Sequence, residues 1–401
     1  MKYKVETSFL KLKSYCEAEN YKGWDPYDGL NSKLFQALPL KKWDIARLIW
    51  IQFFKRSPIN FRNLTRVPKA YNAKGIALFL SGYCNLYDIS KFQNTLYGSS
   101  KELKAHIIRL ANLLLSLQSK GYSGSCWGYN FDWQARRLFL FPKNTPTVVA
   151  TSFAVDALLK AYVITKNENY LNTCISATKF VLKDLKRAKY KSGFLFSYSP
   201  LKGNNTVFNA SLLGAKILSQ VYFFNKNTIL KNTAQKTIKA CCEAQREDGS
   251  WVYGNLPVQN WIDSFHTGYN LEAIQTYHNC TGDSTFQTYL EKGVYFYLEN
   301  FFRRDGTPKY YHDKMYPIDI HCPGQLFVTI SKLNLFKLHN VLIEDVMQWT
   351  IQNMQNKNGY FHYQIKRGIN SKISYMRWSN AFMFNAMSCY LLEHEIQRNT
   401  I

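Results

Sequence analysis

Four groups of residues have the types and spacing to do chemistry. In Trp261–Ile274 (WIDSFHTGYNLEAI), Asp263, His266 and Tyr269 recur at every third position, which puts them on one face at the start of a helix. Asp263 can there orient the imidazole of His266, which then moves a proton near neutral pH, and Tyr269 offers a second proton-transfer group. Such a His–Tyr pair suits removal of the proton next to a uronate carboxylate, the chemistry of lyases and C5-epimerases. The same residues also read as an N-capping Asp263 and a packed, hydrogen-bonded His266.

In Cys126–Arg136 (CWGYNFDWQAR), Trp127, Tyr129 and Trp133 can stack on sugar faces. Asp132 can serve as acid or base there, and Arg136 can hold a carboxylate or phosphate. The alternative is an aromatic loop packed on its neighbours, with Asp132 paired to Arg136. Tyr316–Gly324 (YPIDIHCPG) supplies His321 as a further proton carrier and Tyr316 and Asp319 as substrate contacts. Asp319, His321 and Cys322 also admit zinc. They lie too close in sequence to serve easily as three ligands, and no CxxC or HExxH accompanies them, so no cofactor is expected. Arg377 and Trp378, in Tyr375–Phe384 (YMRWSNAFMF), read as an anion holder and a platform, and Trp251 as one more ring for stacking. Asp132 with Asp263 or Asp319 makes a two-carboxylate hydrolytic site if the separation is about 5–10 Å. Asp25, before Pro26, is as much a turn or cap residue as a chemical one. The chain has no GxSxG, P-loop or dinucleotide-binding glycine pattern, which argues against those nucleophile and nucleotide chemistries.

The elements that position these residues repeat. An amphipathic helix ends in a polar, glycine-containing turn, an aromatic loop follows, and a more apolar second helix comes next. The turn glycines are Gly124, Gly193, Gly249, Gly306 and Gly359. Second helices are predicted near Ser152–Tyr162, Phe208–Tyr222, His266–His278, Gly324–Leu335 and Arg377–Glu393, with an earlier one at Asn72–Tyr83. About six stacked hairpins sharing one core give an all-α (α/α)6 toroid. The expected organisation is a single domain, 1–401, with 1–70 as an N-terminal helical segment closing the ring. Asp132, His266, His321 and Arg377 fall at or just before the starts of different second helices, so they are predicted to converge on one mouth.

Composition narrows the partners. Of 401 residues 46% are hydrophobic, enough for a large core, and 16% are aromatic, many in predicted loops, as in sugar-binding sites. The net charge of +24 favours an anionic partner, although Lys and Asn are abundant throughout. No nucleic-acid module is recognisable, so no nucleic acid is expected. Nine scattered cysteines and no apolar leader in Lys2–Lys13 fit reduced thiols and a cytoplasmic location, either free or at the inner face of a membrane. No apolar stretch reads as long enough to span a bilayer. Leu38–Arg56 is apolar, aromatic and flanked by basic residues, and so suits either peripheral membrane contact or an ordinary buried helix.

AQREDGSW (Ala244–Trp251) resembles the Gln–Trp repeat of squalene cyclases and prenyltransferase-type toroids, with Gln245 and Trp251 at the paired positions. Gln118 with Trp127 and Gln355 with Phe361 are looser copies. The DxDD and DDxxD motifs of terpenoid chemistry are absent. Over nearly its whole length the chain also resembles bacterial proteins associated with polysaccharide biosynthesis, through GWDPYDGLNS (Gly23–Ser32) and the phrases Cys126–Arg136, Trp261–Ile274 and Tyr375–Phe384. That resemblance implies a place in surface-polysaccharide or capsule biosynthesis and brings no established reaction with it; the leading reading is a carbohydrate-active enzyme of that pathway. The candidate residues point to a lyase, epimerase or hydrolase acting on an acidic saccharide. A non-catalytic glycan-binding or scaffold protein, and an enzyme of terpenoid or lipid-linked substrates, are the other two readings.

Overall fold

The computed structural model describes residues 1–92, 96–135 and 139–399. The chain opens with helix α1 (Lys2–Ala18) and two short elements, α2 (Lys33–Ala37) and α3 (Asp44–Arg56). Then follow α4 (Ala73–Ile89), α5 (Ser100–Ser116), α6 (Val148–Thr165), α7 (Glu168–Lys179) and α8 (Phe208–Asn225). After them come α9 (Thr228–Cys242), α10 (Ser264–Thr281), α11 (Gln287–Phe301), α12 (His321–Lys332) and α13 (Asn340–Met354). A π-helical turn, Met376–Ala381, leads into α14 (Phe382–Asn399).

Burial sorts these helices into two rings. Helix α5 buries one stripe, Leu103, Ile107, Leu110, Ala111 and Leu114, as a surface helix does. Helix α4 is buried without interruption from Ala73 to Leu86, and α8 from Phe208 to Ser219, so both are enclosed on all sides. The even-numbered helices from α4 to α14 form the inner ring, each packed on the next, and α14 returns to α4. Helix α1 and the odd-numbered helices from α5 to α13 form the outer ring. This is an (α/α)6 toroid, and its inner helices lie where the repeat places the second helices. One expectation is corrected: α6 is long and apolar enough, by length and composition, to cross a membrane. Its place in the inner ring between α4 and α8 accounts for that apolarity.

The marker glycines have one physical job. A Cβ at Gly124, Gly193, Gly249, Gly306 or Gly359 would come within 2.0–2.4 Å of a carbonyl oxygen on the following outer helix. Only glycine allows that approach, and the last contact, Gly359 on Lys11 of α1, closes the ring. Glutamines reinforce it. Gln245 Nε2 donates to Gly249 O in its own turn and to Tyr289 O of α11, both at 2.9 Å. Gln355 likewise reaches Gly359 O at 2.9 Å and Ser8 O of α1 at 3.0 Å.

Two aromatic assignments are corrected. Trp127 and Trp251, expected to contact substrate, are buried. Each donates its indole N–H to a carbonyl near the end of the preceding outer helix, Trp127 to Leu114 at 2.7 Å and Trp251 to Cys241 at 2.9 Å. A large ring with its N–H satisfied is a wedge between hairpins. The cysteines carry free thiols, buried except for the partly accessible Cys280.

Inside the ring lies an ionic layer. Asp156, Lys216 and Glu272 each sit eight residues after the first residue of α6, α8 and α10 (148 to 156, 208 to 216, 264 to 272), hence at one depth. Lys332, at the end of α12, bonds Asp156 at 3.0 and 3.1 Å and lies 3.7 Å from Glu272. Lys216 lies 3.5 and 3.6 Å from the two acids. Helices from opposite sides of the ring meet through these ions, which therefore fill its interior, with two acids balanced by two lysines as burial requires.

The loops leading into the inner helices carry short antiparallel strands. Strand β1 (Trp133–Gln134) pairs with β2 (Leu140–Phe141), and β3 (Arg187–Tyr190) with β4 (Gly193–Phe196). Strand β5 (Ile318–Asp319) joins β6 (His362–Ile365) and β7 (Asn370–Ser374), placing Asp319 opposite Gln364.

Candidate active site

Five inner helices, α4, α6, α10, α12 and α14, meet near their starts. Asn72 caps α4 by accepting the amides of Lys74 and Gly75. That fixes Lys74 in the first turn, with Nζ over the rings of Phe153 (4.1 Å), Phe382 (4.9 Å) and Tyr269 (5.0 Å). Nζ lies 3.1 Å from Tyr269 Oη, which lies 2.6 Å from His321 Nε2. Three helices thus build one chain of hydrogen bonds, all of it buried. No carboxylate pairs with Lys74 among the described residues. Burial, then the charge of Arg377, holds this lysine well below the usual range. Burial also raises the Tyr269 phenol well above its ordinary value and, with Lys74 and Arg377, keeps His321 well below its own. Each member therefore favours its neutral form, and His321 Nδ1 is left without a partner.

Beside this relay stands a His–Asp dyad. Asp263 Oδ1 accepts the His266 amide at 3.0 Å, capping α10. Its Oδ2 accepts Trp261 Nε1 at 3.0 Å and lies 2.7 Å from His266 Nδ1. Capping and orienting are thus done by one carboxylate. Because Nδ1 faces a carboxylate it carries the proton, and Nε2 is left as the basic nitrogen. That nitrogen meets no partner among the described residues, and the side chain remains 21% exposed. Tyr253 and Trp261 stack at 4.5 Å, and Tyr253 stands 4.7 Å from the imidazole. The Tyr269 ring is 5.9 Å from it. Burial pushes up the phenols of Tyr129, Tyr198, Tyr253 and Tyr310. Part of each of these residues nevertheless stays accessible.

The remaining assignments are sorted by their partners. Asp319 is buried and contacts no open space: it accepts from His321 N (2.9 Å), Trp378 Nε1 (2.8 Å) and Gln364 Nε2 (2.5 Å). Burial pushes its carboxyl up to about 6. It is a positioning residue that holds Trp378 4.7 Å from the His321 ring and 5.7 Å from Tyr27. Arg377, expected to grip a substrate anion, is instead buried in a two-point ion pair with Asp25, Nη2 to Oδ1 at 2.8 Å. Its charge is spent within the protein, and its guanidinium lies over Tyr129 and Trp378. Asp132 braces its own loop by accepting Lys143 N at 2.6 Å. Its neighbour Trp133 stacks on Phe141 at 4.9 Å and meets Tyr27 at 6.3 Å. Tyr316 is exposed, without a contact to the mouth residues among those described. Arg136 lies outside the described residues. No group of three or more His, Cys, Asp or Glu side chains gathers to hold a metal among the described residues.

Contacts therefore run from His266 through Tyr269, His321 and Trp378 to Arg377 and Tyr129. An enclosed cavity of about 10 Å³ lies beside Asp25, Asn72 and Arg377, room for about one water. A groove of about 1200 Å³ opens on the outer wall between α11 and α13, over Val294, Leu298, Leu338 and Leu342. It contains none of the proton-transfer residues, so the mouth remains the candidate site on its chemistry. Sequence reasoning missed Lys74 and Trp261. A signal for Lys74 existed: it is the only charge in Asn72–Tyr83, an otherwise apolar inner helix.

No protein-family model matches the chain, and no curated protein matches it in sequence. Solved structures do match in shape. A GH76 α-mannanase of Bacteroides thetaiotaomicron superposes with a TM-score of 0.61 at 12% identity, over 84% of this chain and 89% of that one. The cellobiose 2-epimerase of Bacillus thermoamylovorans gives 0.59 at 14% identity, over 83% and 90%. A polysaccharide lyase gives 0.60 at 9% identity, over 100% and 99%. At such low identities these likenesses show one thing held in common with this chain, the α/α-toroid fold.

Proposed function

We propose that this protein is a carbohydrate-active enzyme that works by proton transfer, removing the proton next to a uronate carboxylate in a saccharide. The observation that carries this reading is the pairing, at one mouth, of an Asp263-oriented His266 whose Nε2 is open with a buried Lys74–Tyr269–His321 relay. His266 Nε2 takes the C–H proton, and the electron pair is held on the adjacent carboxylate as an enolate. Tyr269 then gives its phenolic proton to the leaving glycosidic oxygen, as the C–O bond breaks and a C=C bond forms. In the epimerising variant the proton goes to the opposite face of the carbon. The phenolate recovers a proton from solvent, passed along Lys74 and His321, and His266 releases the proton it took, so both groups return to their starting forms. Tyr269 is 3% exposed, so substrate reaches it only once the rings above it part.

Lys74, neutral while buried without a paired carboxylate, supports an acidic sugar, because a uronate carboxylate beside it would favour its protonated form. Stacked Tyr253 and Trp261 offer a platform for a pyranose face. Two-carboxylate hydrolysis has less support, since Asp263 and Asp319 already accept hydrogen bonds at both oxygens. That solved toroids of like shape include a mannanase, an epimerase and a lyase also favours a saccharide. We place the reaction in bacterial surface-polysaccharide biosynthesis on the strength of the sequence phrases such as GWDPYDGLNS.

The test is incubation with uronate-containing oligosaccharides in D2O, reading deuterium at the uronate carbon by NMR and unsaturated product by ultraviolet absorbance. Either signal, lost in His266→Ala and Tyr269→Phe, supports the proposal. New reducing ends without either signal, or signals untouched by both substitutions, would sink it.

A further inference from the structure

Apolar surface gathers in one place on this protein. Trp43, Ile45, Ile49, Phe53, Ile59 and Leu64 are exposed by 46–77%, although each is a large apolar side chain. Ile45, Ile49 and Phe53 are spaced by four and form one stripe along α3. The opposite face of α3 is already used. Ile51 and Phe54 are buried, and Trp50 donates to Gly29 O at 3.0 Å. The helix is thus anchored through one apolar face and shows a second to solvent, which marks an interaction surface.

The charges around it say what covers that face. From Lys33 to Lys69 the chain has nine Lys or Arg and a single acid, Asp44. Asp44 is neutralised by Arg47. Lys41, Lys42, Arg56 and Arg66 are exposed and make no ion pair among the described residues. A second copy of this chain would bring the same excess of cations against itself, and the whole chain carries +24. An apolar stripe edged by lysines and arginines, with a tryptophan at one end, matches the boundary between headgroups and acyl chains.

We infer that α3 docks this protein on an anionic phospholipid bilayer. Trp43, Ile45, Ile49 and Phe53 enter the interface, and Lys41, Lys42 and Arg56 meet the lipid phosphates. The mouth is brought with it: Lys55 Nζ bonds Tyr27 Oη at 2.8 Å, and the Tyr27 ring meets Trp378 at 5.7 Å. Docking therefore sets the mouth beside the membrane, where saccharides carried on lipid are presented. The inference does not depend on which reaction the mouth performs.

The full chain is tested by co-sedimentation with vesicles of phosphatidylcholine alone and of phosphatidylcholine with phosphatidylglycerol. Binding is expected only with phosphatidylglycerol, weaker at high salt, and weaker by roughly tenfold or more in Ile45→Ser/Ile49→Ser. The substituted side chains are exposed, so circular dichroism and Tm should match the unsubstituted chain. Should the double variant misfold, acyl-brominated phosphatidylglycerol supplies a second reading: it should quench tryptophan fluorescence in the unsubstituted chain and less in Trp43→Phe. Absence of binding, equal binding to phosphatidylcholine alone, or quenching that ignores Trp43 would overturn the inference. So would a dimer in sedimentation velocity that Ile45→Ser/Ile49→Ser dissolves, since a second copy would then cover the face.

Discussion

Lys74→Met should make the protein more stable and less active. The lysine is buried, with a hydrogen bond to Tyr269 and no carboxylate paired to it among the described residues. Methionine is one atom shorter, unbranched and apolar, and its thioether suits the surrounding rings of Phe153 and Phe382. The lost hydrogen bond costs about 1 kcal/mol, because Tyr269 keeps His321 as partner. Against that, a lysine that burial keeps neutral forgoes the protonation its unfolded form has, about 1.4 kcal/mol for each pH unit by which its folded value lies below 10.5. A net gain of roughly 1–3 kcal/mol follows, and for a chain of this length each kcal/mol moves Tm by about 1 °C. pH sharpens the test. Burial lowers Lys74 below its ordinary 10.5 in the folded state, so between the folded value and 10.5 the unfolded chain binds the extra proton. Stability of the unsubstituted chain therefore falls as pH drops through that window, and the gap to Lys74→Met narrows as pH rises toward 10.5. Denaturant titrations at several pH values measure this. The deuterium-exchange and elimination assay should fall by about 100-fold or more, the usual contribution of a proton-transfer group. A less stable variant, a gap independent of pH, or full activity would refute the reasoning and make Lys74 an ordinary structural residue.

Asp319→Asn should also stabilise at neutral pH. Its folded value of about 6 lies above the ordinary 3.8, so stability is lost as pH rises from about 4 through 6. Asparagine avoids that loss, and the urea midpoint should gain roughly 1–3 kcal/mol at pH about 7.5 and little at pH about 4; an equal gain at both would contradict the assignment. Arg377→Met strands Asp25 and should cost about 3–5 kcal/mol, with part recovered in Asp25→Asn/Arg377→Met. A double variant no better than the single one would mean the pair is not coupled. Gly249→Ala combines a φ of +88° with a Cβ 2.3 Å from Lys292 O, whereas Gly282 has a φ of +71° and open space. Thermal unfolding should show losses of roughly 3 kcal/mol for the first and about 1 for Gly282→Ala, and similar losses would remove the proposed role of the turn glycines.

The toroid could be read from the sequence because its repeat is local. Each outer helix, turn glycine, aromatic loop and inner helix occupies consecutive residues, so periodicity and punctuation alone placed all six inner helices. Asp263, His266 and Tyr269 were legible for the same reason, since a spacing of three fixes a shared helical face. What the sequence could not decide is which partner, far along the chain, each side chain meets. Trp127 and Trp251 have the residue type of sugar platforms, and only packing shows their N–H groups spent on Leu114 and Cys241. Arg377 is free or paired depending on Asp25, 352 residues away. Lys74 joins the relay only because ring closure sets α4 across from α10, 195 residues on. Local pattern determines which helices form and which faces they bury, while the energy of a buried charge or ring depends on neighbours that only the closed ring brings together.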